Sequence, residues 1–115
     1  MKEQICYKVT NLHSESAITA GQYRLYYLLG KITYPKIGKI FVFENLHNAQ
    51  NFACRTDKIY KGIASSLEHL ERACDVSKEK DFCTWWKDRT KTRSQLVPNG
   101  TFIVEYFHAK EEIIR

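Results

Sequence analysis

A central strand and the helix after it are predicted by one continuous stretch, Lys39-Ile40-Phe41-Val42-Phe43 followed at once by Glu44-Asn45-Leu46-His47-Asn48-Ala49-Gln50-Asn51-Phe52-Ala53-Cys54. Its first part is almost wholly apolar, which is typical of a central β-strand that is buried on both faces. Its second part changes to helical spacing, with Leu46, Ala49 and Ala53 on one stripe. Asn45 suits the N-cap of this helix, because its side-chain oxygen accepts an unpaired amide proton of the first turn.

Alternation of side chains between two faces predicts further strands on both sides of this stretch. The clearest covers residues 101–108, in which Phe102, Val104 and Tyr106 lie opposite Ile103, Glu105 and Phe107. Similar patterns predict strands at residues 4–10, 22–29, 31–34 and 57–64. Residues 111–115 are expected to add a short edge strand or to fray.

Two more segments have the spacing of helices. Leu67, Leu70, Ala73 and Cys74 predict an amphipathic helix over residues 66–74, and a second helical segment is expected from residue 77 to about residue 88. Residues 90–99 predict an exposed loop that the turn Pro98-Asn99-Gly100 closes. These elements predict an α+β fold over residues 1–115 as a single domain, with a mainly antiparallel sheet of about four to six strands packed with one or two helices.

Composition limits the environment and the class of partner. The net charge of +5 and the pI of about 9.0 favour attraction to nucleic acid, acidic proteins or anionic lipid. No apolar stretch is long enough to cross a bilayer, and no apolar signal core follows Met1, so we expect an intracellular, cytoplasmic protein that does not engage a membrane. The four cysteines are far apart and have no metal-binding spacing, which predicts reduced thiols, mostly in the core.

The order of these features resembles that of short uncharacterised proteins of phage and viral genomes. The similarity covers approximately residues 6–62. It consists of a first strand like Tyr7-Lys8-Val9, the serine Ser16, a strand ending in Tyr27-Leu28-Leu29-Gly30, the strand Phe41-Val42-Phe43 and the helix motif Ala49-Gln50-Asn51-Phe52. The resemblance implies a viral or phage accessory protein with a sheet-plus-helix fold, and it implies no chemistry.

A basic and aromatic segment suggests nucleic-acid binding. Lysine and arginine recur at every second position after a tryptophan pair, and the predicted nucleic-acid-binding residues are Trp85, Trp86, Lys87, Arg89, Lys91 and Arg93. On an extended backbone the cations would follow phosphates while a tryptophan stacks on a base of single-stranded RNA or DNA. Lys31, Lys36 and Lys39 would extend the patch if the fold brings them there. The alternative is a solvated loop after a helix whose tryptophans are core residues.

A tyrosine-rich segment suggests protein binding. Tyr23, Arg24 and Tyr26 have the aromatic and arginine composition of interaction hot spots, and the same surface would suit a homodimer. The alternative is that one face of this strand packs in the core while the other face lies against a neighbouring strand.

An enzyme is the least favoured class. The sequence lacks a nucleophile elbow, a phosphate loop and a metalloprotease motif, so we predict no catalytic residue, metal or cofactor. The one enzyme hypothesis is an ADP-ribosyltransferase-like site, with Glu105 as catalytic carboxylate and Tyr7 or Ser16 in a nicotinamide pocket. The sequence therefore favours a small non-enzymatic binding protein with a protein partner, and nucleic-acid binding is the alternative.

Overall fold

The computed structural model describes residues 3–17, 19 and 21–114 of the chain. Over these residues the order of elements is β1 Gln4–Thr10, β2 Ile32–Thr33, β3 Ile40–Phe43, α1 Leu46–Phe52, β4 Lys58–Ala64, β5 Glu68–His69, β6 Arg72–Ala73, α2 Glu79–Lys87, β7 Gln95–Leu96, β8 Thr101–Val104 and β9 Phe107–Glu112. Neither of the helices in these ranges has the length and apolar character needed to cross a membrane.

Seven of the described strands form one antiparallel sheet. Their order in the sheet is β2-β9-β4-β1-β3-β8-β5, and the two short strands β6 and β7 pair with each other. The α+β fold with a mainly antiparallel sheet is therefore confirmed, and the sheet has more strands than the sequence predicted.

The sheet is strongly curled, and the short connection between β8 and β9 shows it. In a flat sheet these strands, four positions apart, would be separated by about 19 Å. The residues between Val104 and Phe107 reach about 11 Å at full extension. The sheet must therefore bend until β8 and β9 approach each other. Side chains from both strands share one buried cluster with Cys6, Val42 and Tyr60.

The helix α1 packs on β1 and β3 as its apolar stripe predicts. The side chain of Asn45 accepts a hydrogen bond from the backbone N–H of Asn48 at 2.9 Å, which confirms the predicted N-cap. Ala49 is completely buried and forms a cluster with Val9 and Phe43. The second helix, α2, buries Phe82 and Trp85 in a separate cluster with Ile103 of β8 and Phe41 of β3.

The prediction of a strand at residues 22–29 is wrong. The segment starts in a 3₁₀ turn at Gly21–Tyr23 and continues as irregular backbone. It pairs with the preceding loop, since Leu25 O accepts from Ser16 N at 2.9 Å and Tyr27 N donates to Ser14 O at 2.8 Å. These bonds use backbone groups that a sheet strand would need. The segment instead covers the sheet, and Tyr27 is its fully buried side chain.

The prediction of a helix at residues 66–74 is also wrong. These residues contain β5, which pairs with β8, and β6, which pairs with β7 inside the predicted loop at residues 90–99. Leu70, Ala73 and Cys74, whose spacing suggested a helix, are buried all the same. A segment this short is a stable helix only with tertiary support, and the open edge of β8 offers strand pairing instead.

The strand predicted at residues 101–108 is divided in two. The break falls at Glu105 and Tyr106, where Glu105 N donates to Ser65 Oγ at 2.8 Å. The chain must turn there because β8 pairs with β3 whereas β9 pairs with β4 and β2. β9 continues to Glu112, so residues 111 and 112 extend β9 between β2 and β4 and the tail forms no separate edge strand in the described residues. Arg115 lies outside the described residues.

Candidate functional site

Residues 26–34 hold most of the large apolar side chains that the described chain exposes. The exposed fractions are 61% for Tyr26, 56% for Leu28, 53% for Leu29, 46% for Ile32 and 63% for Tyr34. We call these residues the edge surface. The other exposed large apolar side chains in the described ranges are scattered singly along the chain, at Ile5, Leu12, Leu96 and Ile114.

The fold holds the edge surface at the end of the sheet. The hydroxyl of Thr33 donates to Tyr26 O at 2.8 Å and joins the two limbs of the segment. Between them Lys31 N donates to Leu28 O at 3.0 Å, and Gly30 N donates to Ala109 O of β9 at 2.9 Å. In the described sheet β2 has β9 on one side and no strand on the other. An exposed strand edge beside apolar side chains is a surface suited to protein docking.

Only one of the three predicted protein-binding residues belongs to the edge surface. Tyr26 is exposed, as above. Tyr23 is half-buried with its ring 5.7 Å from that of Phe82, and its pKa is raised chiefly by a hydrogen bond with Cys83. Arg24 is half-buried and lies 3.8 Å from the carboxylate of Glu15. The sequence prediction missed Leu28, Leu29, Ile32 and Tyr34. The one sequence feature that could have indicated these residues is an apolar run interrupted by Gly30 and Lys31.

The predicted tryptophan pair lies in the core cluster of α2. Trp85 is 2% exposed, its ring stacks on Phe41 at 6.4 Å, and the rings of Trp85 and Trp86 lie 4.7 Å apart. The guanidinium of Arg89 lies 4.6 Å from the ring centre of Trp85 and 5.6 Å from that of Trp86. The ring of Trp85 is thus already packed on protein, and a base has no free face of it on which to stack.

The predicted cations do not form one extended row. Lys87 is the last residue of α2, and Lys91 N donates to Asp88 O at 3.1 Å in the turn that follows. The prediction of an extended backbone that would align these cations is therefore wrong for this segment. All four cations, Lys87, Arg89, Lys91 and Arg93, are nevertheless exposed.

The lysine-bearing turn before β3 does approach α2. Gly38 passes so close to Trp86 that a Cβ at this position would collide with the indole ring, and its φ of 61° is one that glycine adopts readily. The ammonium of Lys39 lies 2.8 Å from the carboxylate of Glu68, which lowers the pKa of Glu68. Lys36 is exposed and donates to Arg24 O at 3.3 Å. Lys31 is exposed within the segment that carries the edge surface.

The residues of the enzyme hypothesis occupy three different environments. Glu105 is exposed at the break between β8 and β9. Tyr7 is half-buried in the cluster of α1, and Ser16 is buried with its hydroxyl accepting from Leu25 N at 2.9 Å. Across the described ranges, no group of three or more His, Cys, Asp or Glu side chains is placed to hold a metal ion.

Comparison of the chain with protein-family models, with curated proteins and with solved structures gives no match in any of the three.

Proposed function

We propose that this protein is a non-enzymatic binding protein whose edge surface docks a protein partner. The observation that carries the proposal is the concentration of Tyr26, Leu28, Leu29, Ile32 and Tyr34 in solvent beside the edge strand β2. Contiguous exposed apolar patches are uncommon on monomeric proteins, and they often mark binding surfaces. The bonds that Thr33 and Gly30 make hold the segment in place before a partner arrives.

The partner that fits this surface is an extended protein segment with apolar and acidic residues. Such a segment adds a strand to the open side of β2, where backbone hydrogen bonds supply affinity and side chains supply specificity. Acidic residues are favoured because Lys31 and Lys36 are exposed in or next to the edge surface and the net charge is +5. In the context suggested by the resemblance to phage and viral proteins, the partner is a host protein in the cytoplasm.

Site-specific photocrosslinking in the producing cell tests this proposal. A photoreactive amino acid replaces Ile32 in one variant and Leu12 in another. Because Ile32 is 46% exposed and Leu12 is 56% exposed, the two probes are similarly accessible to other proteins. We expect the probe at position 32 to give one discrete adduct with another protein, and the probe at position 12 to give none. A mutation in the edge surface, Leu29→Glu, is expected to lower the yield of that adduct about tenfold, because it places a charge in the apolar contact.

Two results would contradict the proposal. Equal adducts from positions 12 and 32, or an adduct that survives Leu29→Glu, would show that the edge surface is not the docking site. An adduct between two copies of this chain would assign the surface to a homodimer.

Single-stranded nucleic-acid binding is a second candidate function. The observation in its favour is that four cations are exposed within residues 87–93, at the end of α2 and in the segment that follows it: Lys87, Arg89, Lys91 and Arg93. Because Trp85 is buried, we propose that such binding relies on phosphate contacts and not on base stacking.

Fluorescence polarisation with labelled single-stranded RNA and DNA tests this second candidate. Lys87→Ala combined with Arg93→Ala is expected to reduce the slope of log affinity against log salt by about 1.4, since each cation neutralises one phosphate and each such contact contributes about 0.7 on a single strand. Arg89 is left intact because it covers the tryptophans. Lys110→Ala, at an exposed position on β9, is the matched control. Absence of binding at low salt would exclude this function.

A further inference from the structure

A cavity of about 500 Å³ opens between the central strands and the β6–β7 region. One wall is formed by β1 and β3, and the opposite wall by the residues after β6 and around β7. Its volume is within the range of roughly 300–1,000 Å³ that small-molecule sites occupy. The apolar side chains on its walls include Val9, Ala17, Phe43, Phe52, Val76 and Val97.

The cavity lies where two neighbouring strands separate. β1 pairs with β4 at every position from Gln4 to Thr10, but its pairing with β3 is confined to Tyr7 and Phe43. Just beyond that pair, the ammonium of Lys8 donates to Phe41 O at 2.8 Å. A side chain thus provides the hydrogen bond to β3 that a backbone amide of a continuous ladder would otherwise provide.

This ammonium group is short of partners. A protonated lysine has three N–H donors, and the hydrogen bonds of the described residues account for one of them. The ring of Tyr27 lies 5.3 Å from the nitrogen, and none of the ion pairs in the described part of the chain includes Lys8. Lys8 is half-buried and lines the cavity, and an ammonium group with no carboxylate partner beside apolar walls favours an anionic ligand.

The cavity lining contains one carboxylate, and that group is already engaged. The side chain of Asp75 accepts hydrogen bonds from the backbone N–H and the hydroxyl of Ser77, at 3.0 Å and 2.5 Å. These bonds hold the pKa of Asp75 below its usual range. The remainder of the lining is mostly apolar, so the site combines one unpaired cation with an apolar wall.

We propose that this cavity binds a small apolar carboxylic acid, with its hydrocarbon part against the apolar walls and its carboxylate paired with the ammonium of Lys8. An uncharged apolar molecule would leave the two remaining N–H donors unsatisfied, whereas a carboxylate accepts both. The site is distinct from the edge surface, since none of the five edge-surface residues lines the cavity.

Isothermal titration calorimetry with decanoate and decanol tests the proposal, because these probes share a chain length and differ in charge. We expect decanoate to bind about tenfold or more tightly than decanol, and Lys8→Met to remove that preference, as hydrogen bonds to charged groups contribute this much. Methionine retains most of the volume of the lysine stem. Leu29→Glu, which alters the edge surface, is expected to leave binding of both probes unchanged.

A second variant keeps the test decisive if Lys8→Met fails to fold. Leu96 lines the cavity and is 75% exposed, so Leu96→Glu places a negative charge at the rim with little risk to the core. It is expected to weaken decanoate binding several-fold and to affect decanol less. Equal affinity for the two probes in the unmodified protein, or no binding of either, would overturn the proposal. Decanoate affinity that is unchanged in a folded Lys8→Met variant would also overturn it.

Discussion

Replacing Trp85 by alanine is expected to lower the free energy of unfolding by about 3–5 kcal/mol, as is typical for removal of a buried aromatic side chain. The indole is 2% exposed and packs between Phe41 of β3 and Trp86. Alanine would leave a cavity in the cluster that fixes α2 on the sheet, next to Ile103 and Phe82. Because small domains have a total stability of about 5–15 kcal/mol, this loss would be a large fraction of the total.

Urea denaturation followed by circular dichroism measures this change. Lys87→Ala, two residues along the same helix at an exposed position, is the matched control and is expected to change stability by less than about 0.5 kcal/mol. A loss of less than about 1 kcal/mol for Trp85→Ala would contradict the buried position of the indole.

This expected instability affects how nucleic-acid binding must be tested. A Trp85 variant that loses RNA affinity would not identify a stacking site, since unfolding removes every surface at once. Exposed cations such as Lys87 and Arg93 can be changed without that complication. For the same reason, fluorescence quenching of the tryptophans by a ligand would report on the packing of the α2 cluster as much as on direct contact.

The parts of the fold that the sequence predicted correctly are those that local interactions determine. The N-cap at Asn45 and the apolar stripe of α1 depend on residues a few positions apart, so the helix was predictable. Residues 22–29 and 66–74 were mispredicted because their partners are distant or unexpected. The apolar alternation around Tyr27 is the same whether the segment pairs in the sheet or covers it, and the spacing of Leu70 and Ala73 does not reveal the open edge of β8.

The two candidate sites were beyond sequence reasoning for the same physical reason. The apolar residues of the edge surface look like core residues until the sheet order places β2 at an edge. Alternation along β1 predicts that Lys8 and Cys6 lie on the face of the strand opposite Ile5 and Val9. It does not reveal that the face with Lys8 and Cys6 is also covered by another part of the chain. In the structure Cys6 is completely buried while Ile5 is 57% exposed. The cover is the segment around Tyr27, which the sequence had assigned to a strand.

The position of Lys8 also predicts an unusual dependence of stability on pH. Burial lowers the pKa of its amine from 10.5 to about 8 in the folded protein, which corresponds to roughly 3 kcal/mol of unfavourable free energy for the charged form. This cost is fully present below pH 8, where the folded and unfolded states both bind the proton. It disappears between pH 8 and 10.5, because the folded state has released its proton while the unfolded state still carries it.

In the absence of ligand, Lys8→Met is therefore expected to stabilise the protein by about 2 kcal/mol at pH 7, after allowing about 1 kcal/mol for the lost bond to Phe41 O. The advantage should vanish by about pH 10.5. The titratable groups beside Lys8 are Cys6, Tyr27 and Tyr60, and those on the cavity walls that Lys8 lines are Tyr23, Lys36, Lys39, Cys74 and Asp75. They are common to both proteins, and their contributions cancel when the two are compared at each pH.

Urea denaturation of both proteins at pH 7 and pH 10 measures this difference, with Lys31→Met as the control at an exposed position. Burial raises the pKa of Cys6 to about 12 and also raises that of Tyr27, so both remain protonated in the folded state over this range. A difference that does not shrink with pH would mean that the amine of Lys8 is in contact with water. Binding of decanoate should reverse the order at pH 7, because a carboxylate binds more tightly to, and so stabilises more strongly, the protein that retains the cation.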